Sequence, residues 1–245
     1  MKLSYKTTVI TGVLLASLPS VQAAPEGPFA FSANVALTSD YLFRGITQTD
    51  GGFAIQGGFD INHETGFYIG TWGSNIKFLE GNMVKPEDRA DIELDLYVGF
   101  AKDLGNGFSY NVKAGHYMYP GAASDLNYDM TEFNVTLKYS MPQGTVFDFQ
   151  YDFSPDFGGA DEGHNYMFGV NHTLSSGLGF RGFVGQQNIE DNDAAGKDDY
   201  LYYGLSLSFP VAKFEGSIGY SNTDLDNADA IGADGRVFFT LSKSF

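Results

Sequence analysis

The chain has 245 residues, with 14 Lys plus Arg against 30 Asp plus Glu and no cysteine. A formal charge of −16 argues against nucleic acid as a partner, which needs a basic surface. The lack of cysteine removes disulfide scaffolds, thiolate metal centres and thiol nucleophiles from consideration. With 22 Phe and 15 Tyr beside one Trp and 31 Gly, the composition is that of strands and tight turns.

At the start, Lys2 and Lys6 precede an apolar stretch from Thr7 to Leu18, followed by Pro19 and Val21-Gln22-Ala23. This reads as a secretory signal peptide over residues 1–23, cut after Ala23. The apolar core of 12 residues is short of the roughly 17–25 that cross a bilayer as a helix. Loss of Lys2 and Lys6 takes the charge of residues 24–245 to −18. No later segment is long and apolar enough for a helical span, so an exported chain of this kind enters a membrane only as a closed barrel.

From Phe29 the residues Phe31, Ala33, Val35, Leu37, Tyr41 and Phe43 alternate with Ser32, Asn34, Thr38 and Asp40. The period of two predicts a strand with one oily side. Phe53, Ile55, Phe59 and Ile61 oppose Gln56, Asp60 and Asn62 in the next run. Between Asp91 and Phe100 the pattern is cleanest, with Ile92, Leu94, Leu96, Val98 and Phe100 on one face and Asp91, Glu93, Asp95 and Tyr97 on the other. Three carboxylates on one face require water on that side. Similar alternation over 132–139, 147–153, 178–184, 201–209, 214–221 and 237–245, with mixed runs at 67–76, 108–119 and 164–173, brings the expectation to about twelve strands, an even number as single-chain bacterial barrels require. Trp72 and His116 fall in the mixed runs without an assignable face.

The connections alternate in length. His63–Gly66, Lys102–Gly107, Met141–Gly144, Ser175–Gly177 and Pro210-Val211 have hairpin composition. The stretches 77–89, 120–128, 154–163, 189–199 and 222–234 are longer and acidic, with 45–52 a shorter first member. Short turns at one end and long loops at the other are the signature of an up-and-down transmembrane antiparallel β-barrel, expected here as one domain over residues 24–245. A secreted soluble β-protein has no reason for such strict alternation.

The final strand, G-R-V-F-F-T-L-S-K-S-F, places Val237, Phe239, Leu241 and Phe245 on one face. Its aromatic last residue resembles the C-terminal signal by which Gram-negative outer-membrane barrels are recognised and inserted. That resemblance implies the cell outer membrane of a Gram-negative bacterium, with the barrel assembly machinery, outer-membrane lipids and lipopolysaccharide as partners. Ser39–Asp60, S-D-Y-L-F-R-G-I-T-Q-T-D-G-G-F-A-I-Q-G-G-F-D, followed by G-F-Y-I-G-T-W-G-S-N from Gly66 and A-G-H-Y-M-Y-P-G from Ala114, resembles the TorF-type porins of proteobacteria. The resemblance is sharpest in the first half of the chain and implies a porin fold without naming a solute.

On these faces the expected lumen-lining residues are Asp60, Asp91, Glu93, Asp95, Lys113, Glu132, Lys138, Asp148, Asp152, Arg181 and Glu215, with Arg44 on or near the wet side. Rings of carboxylates favour cations over anions in a pore. The function read from this is passive diffusion of small hydrophilic solutes, cations or neutral molecules preferred, through an acidic lumen. Acidic sugars, which need a basic lumen, are disfavoured. The alternatives are charges that pair across a plugged interior, which makes a non-conducting receptor, adhesin or structural barrel, and a hydrolase at the rim. For the last, Asp198-Asp199 and His164 are the only candidates, and no catalytic motif is legible. The acidic loop D-L-D-N-A-D-A-I-G-A-D-G with Asp224, Asp226, Asp229 and Asp234 resembles a calcium loop, yet Ala228 and Asp229 stand where an oxygen ligand and a glycine are needed. It reads as a solvated loop bridging divalent cations to lipopolysaccharide. His63, His116, His164 and His172 suggest no metal cluster, so neither metal nor cofactor is expected. Tyr41, Phe43, Tyr117, Tyr119, Tyr151, Phe153, Tyr200 and Tyr203 suit the interfacial aromatic girdles. A carbohydrate-stacking platform is their sharper alternative.

Overall fold

The computed structural model describes residues 27–79 and 84–245. The signal-peptide stretch 1–23 lies outside the described residues. Twelve long strands form a closed barrel, and the alternation of side chains explains why each becomes a strand. In chain order they are β1 (Phe29–Thr38), β4 (Ala54–His63), β5 (Phe67–Asn75), β6 (Ile92–Gly105), β7 (Phe108–Met118) and β8 (Met130–Ser140). β9 (Thr145–Ser154), β10 (Gly163–Thr173), β11 (Gly179–Ile189), β12 (Tyr200–Val211), β13 (Phe214–Thr223) and β14 (Arg236–Ser244) complete the ring. Two short strands, β2 (Leu42–Phe43) and β3 (Ile46–Thr47), pair only with each other.

Each barrel strand is antiparallel to its neighbours in sequence, and β14 returns to β1 with Asn34 opposite Ser244 and Thr38 opposite Thr240. Phe245 extends the seam, its amide donating to the Ala33 carbonyl at 2.9 Å. No edge is left for hydrocarbon to meet. The outward face is apolar all round: Ile55, Leu205 and Val237 are each about two-thirds exposed, and Phe31, Ile69, Leu96, Phe133 and Phe239 are about half exposed. Inward positions carry Gln56, Asp60, Asn111, Asn134, Asn165, Gln187 and Ser221, all buried. This inversion of the usual soluble pattern is what a bilayer selects. Val237, Phe239, Leu241 and Phe245 share the outward side of β14, and Lys243 lies there too, its ammonium 4.6 Å from the Phe245 ring centroid.

Several boundaries differ from the sequence expectation. β1 stops at Thr38 although the alternation runs on to Phe43. There the chain turns into the barrel. β6 continues to Gly105, so the turn expected over 102–107 shrinks to Asn106-Gly107, with positive φ at both residues. A bulge held by the Asp103 carboxylate, which accepts from the Gly105 amide at 2.7 Å, shifts the register just before the last pair, Gly105 with Phe108. The last tight turn is Ala212-Lys213 and not Pro210-Val211. Pro210 stays in β12 because β11 begins opposite Ser208, leaving no ladder bond on that side for the missing amide.

Leu205 sits at mid-strand in β12 and is 68% exposed on the outer face. Leu205→Arg is expected to destabilise the barrel folded in lipid vesicles by about 2–4 kcal/mol, the cost of a cation near the bilayer midplane. Denaturant unfolding of the two forms measures it.

Candidate functional site

The interior is organised by the connection between β1 and β4. Asp40 starts it, accepting hydrogen bonds from the hydroxyls of Thr47 (2.5 Å) and Thr49 (3.1 Å) and an ion pair from Arg236 at 3.3 Å. These ties pinch the base of a hairpin that points into the lumen. β2 and β3 are joined by Arg44-Gly45, with φ of 49° and 85°, the positive values that two-residue hairpin turns require at both central positions. Glycine is needed at position 45 for a second reason. A Cβ there would lie 2.6 Å from Thr223 Cγ2 and 3.0 Å from Tyr202 Cβ.

Arg44 crosses the barrel. Its guanidinium meets Glu132 of β8 at 2.5 Å and Asp152 of β9 at 3.2 Å, and donates to Gln187 of β11 at 2.8 Å. β9 is the sixth strand from β1 in a ring of twelve, so the tip reaches the wall opposite the hairpin's root. Burial alone disfavours the charge on Arg44, yet the Glu132 and Asp152 carboxylates more than compensate and hold its pKa above the ordinary arginine value. Asp152 also accepts from Asn134 (2.5 Å) and Asn165 (2.7 Å), which completes the anion's hydrogen bonding as a buried charge requires.

Elsewhere the hairpin packs through rings. Tyr41 lies edge-on to Trp72 of β5, with centroids 5.5 Å apart, and Phe43 is similarly set against Tyr117 of β7 at 6.5 Å. The Tyr41 hydroxyl donates to Glu93 Oε1 at 3.3 Å. Burial, then the Glu93 charge, raise that phenol's pKa well above its usual value, so it remains a donor.

Of the lumen candidates, Asp60, Glu93, Asp95, Lys113, Glu132, Lys138, Asp148, Asp152, Arg181 and Glu215 lie on the inward register of their strands. Asp91 differs. It precedes β6 and is exposed, because strand pairing begins only at Ile92 and the alternation that grouped it with Glu93 extends past the ladder. Asp60 accepts from Tyr97 at 2.6 Å, and Arg181 pairs with Asp148 at 2.9 Å, beside Lys138 in register across β8 and β9.

Half of the residues expected in girdles are inside. Tyr200 is buried, Tyr117 faces the lumen, and Tyr119 joins Phe78 and Tyr128 in a ring cluster among the long loops. Tyr151, Phe153 and Tyr203 do face outward. The rim candidates stay apart: His164 bonds Tyr151 at 2.9 Å, while Asp199 takes the Asn188 side chain at 2.9 Å, and Asn188 stands between them in register. In the acidic loop Asp224 accepts from the Leu201 amide and Asp234 pairs with Arg236.

A family profile described as "Bacterial protein of unknown function (Gcw_chp)" matches residues 22–245. The chain belongs to the Gcw_chp family. No curated protein matches it significantly. Among solved structures, it is similar to the KdgM porin, with a TM-score of 0.58 at 6% identity over 87% of this chain and 98% of that one. The NanC porin gives 0.55 at 11% identity over 87% and 98%. An outer membrane channel of Pseudomonas putida F1, COG4313, gives 0.50 at 11% identity over 94% and 100%. At such identities the likeness is one of fold alone.

In this Gcw_chp chain, Ser39–Gly51, the core of the quoted S-D-Y-L-F-R-G-I-T-Q-T-D-G stretch, is the inner hairpin and its anchors. Sequence reading placed Arg44 near the wet side but missed Tyr41, Phe43 and Trp72 as interior residues. The usable signal was Arg-Gly between Leu42-Phe43 and Ile46-Thr47, a hairpin turn where strand alternation seemed to continue. Arg44→Met is expected to cost about 3–5 kcal/mol by stranding two buried carboxylates. Adding Glu132→Gln and Asp152→Asn to Arg44→Met should recover most of that loss. Denaturant midpoints of the three proteins check it.

Proposed function

We propose that the protein is a TorF-type outer-membrane porin, exported by its signal peptide and inserted by the barrel assembly machinery through the outward face of β14. It passes small hydrophilic solutes passively, with cations or neutral molecules preferred. The observation that carries this reading is an interior with a surplus of carboxylates: Asp60, Glu93, Asp95, Glu132, Asp148, Asp152 and Glu215 against Arg44, Lys113, Lys138 and Arg181. A field of that sign attracts cations and repels anions. One solved KdgM porin is described as a complex with disordered oligogalacturonate. A polyanion of that kind is a poor match for the acid surplus here, which favours a different solute class. No covalent chemistry is assigned, since the residues suggested for a rim hydrolase are engaged in other contacts.

The inner hairpin supports a second reading. Its tip is anchored to the far wall with the Arg44 side chain only 7% exposed, which suits a barrel closed at rest and acting as a receptor, adhesin or structural element.

Planar-bilayer recording separates the two. Discrete channels with a reversal potential favouring cations are expected, and Glu93→Gln with Asp95→Asn should move that potential toward zero selectivity. Arg44→Ala should raise unit conductance by loosening the hairpin from β8 and β9. A protein silent in both wild-type and Arg44→Ala forms would support the non-conducting barrel.

A further inference from the structure

The two ends of the acidic wall are treated differently. Glu132 is satisfied by Arg44 and the Tyr117 hydroxyl, and Asp152 by Arg44 and amide donors. Glu93 and Asp95 are not: Glu93 is only 2% exposed, and its Oε2 together with Asp95 Oδ1 is buried without a hydrogen-bond partner. A buried carboxyl oxygen left unpaired is costly, so these two oxygens call for a donor that none of the described residues supplies.

What surrounds them defines that donor. Register places Trp72 opposite Asp95 on one side and Tyr117 opposite it on the other, giving an aromatic, a carboxylate and an aromatic on three adjacent strands, all facing inward. Ser74 stands opposite Glu93 in the same way. Tyr41 of the hairpin covers the group, its ring on Trp72 and its hydroxyl on Glu93 Oε1. Lys113, the inward cation of β7, is held 5.5 Å from the Tyr97 ring centroid and leaves Asp95 Oδ1 without a partner. With both carboxyls ionised it offsets one of the two charges, and a bound cation would balance the other.

We propose that Glu93 and Asp95, enclosed by Trp72, Tyr117 and Tyr41, form a binding subsite for a small organic monocation bearing a primary ammonium. The ammonium offers several N–H donors to the two free oxygens, and its alkyl part lies against ring faces, which attract cations. A hard divalent ion wants six or more oxygen ligands. Among the described residues no group of three or more acidic or His side chains is arranged to hold a metal. The subsite rests on the porin reading only in making this cation a transported solute. Binding itself does not require conduction.

Trp72 is the only tryptophan of the chain, so its fluorescence reports on the proposed subsite. The full mature barrel, folded in detergent micelles, is titrated with n-butylammonium chloride, and with sodium and magnesium chloride at matched ionic strength. A saturable change in emission with n-butylammonium alone is expected, weakened roughly tenfold to a hundredfold in Glu93→Gln/Asp95→Asn, the range for hydrogen bonds to charged groups. Glu215→Gln, which removes a lumen carboxylate at the far end, should leave it unchanged. The proposal is overturned by no saturable change in wild type, by an equal response to sodium or magnesium, or by equal loss in Glu215→Gln. Bilayer recording of the same preparations keeps the two ideas apart: binding without conductance counts against the porin alone, and conductance without binding counts against the subsite alone.

Discussion

Closure of the sheet is the constraint from which the rest of the molecule follows. Hydrocarbon offers no hydrogen bonds, so every amide and carbonyl of twelve strands needs a neighbouring strand, and β14 must find β1. Once the ring closes, side chains have only two places to go. The outer face becomes a belt of Phe, Leu, Ile and Val, and the polar half of each strand is enclosed whatever its charge. An acidic interior in this chain is therefore a direct consequence of which carboxylates fall on the inward register.

The enclosed charges then need partners, and a second layer of structure supplies them. Asp40 bends the chain inward, the Arg44-Gly45 turn reverses it, and the guanidinium reaches across the barrel to Glu132 and Asp152. The hairpin neutralises one side of the acid wall and covers the other with Tyr41 and Phe43. Small residues make room for the large ones inside. A side chain at Gly70 would collide with Tyr97 and one at Gly99 with Tyr68, so inward rings lie over the glycines of the next strand. The result is a lumen with one saturated cluster and one with oxygens still free.

Legibility in the sequence followed the range of the interactions. Alternation is local, so the inward register of Glu93, Glu132, Asp148 and Arg181 could be read from neighbours two positions away. Where alternation outlasts pairing, local reading misleads: Tyr41 and Phe43 continue the pattern of β1, and Asp91 continues that of β6, but none of them has a ladder partner to hold it in the barrel wall. Trp72 showed no face because each side of β5 mixes ring or apolar residues with small or polar ones, Phe67 and Ile69 with Thr71 and Gly73 on one, Tyr68 and Trp72 with Gly70 and Ser74 on the other. Only the arrival of Tyr41 from another connection distinguishes its interior side.

By itself, the sequence determined a β-chain with an apolar and an acidic face, a strand number near twelve, alternating short and long connections and a terminal strand fit to close a ring. These follow from side-chain period and turn composition, which act within a few residues. The tertiary structure decided which carboxylates are paired, because pairing joins Arg44 to residues 88 and 108 positions away. It also decided that the first long connection belongs to the interior, since only the closed barrel provides a far wall of matching charge for the hairpin to reach.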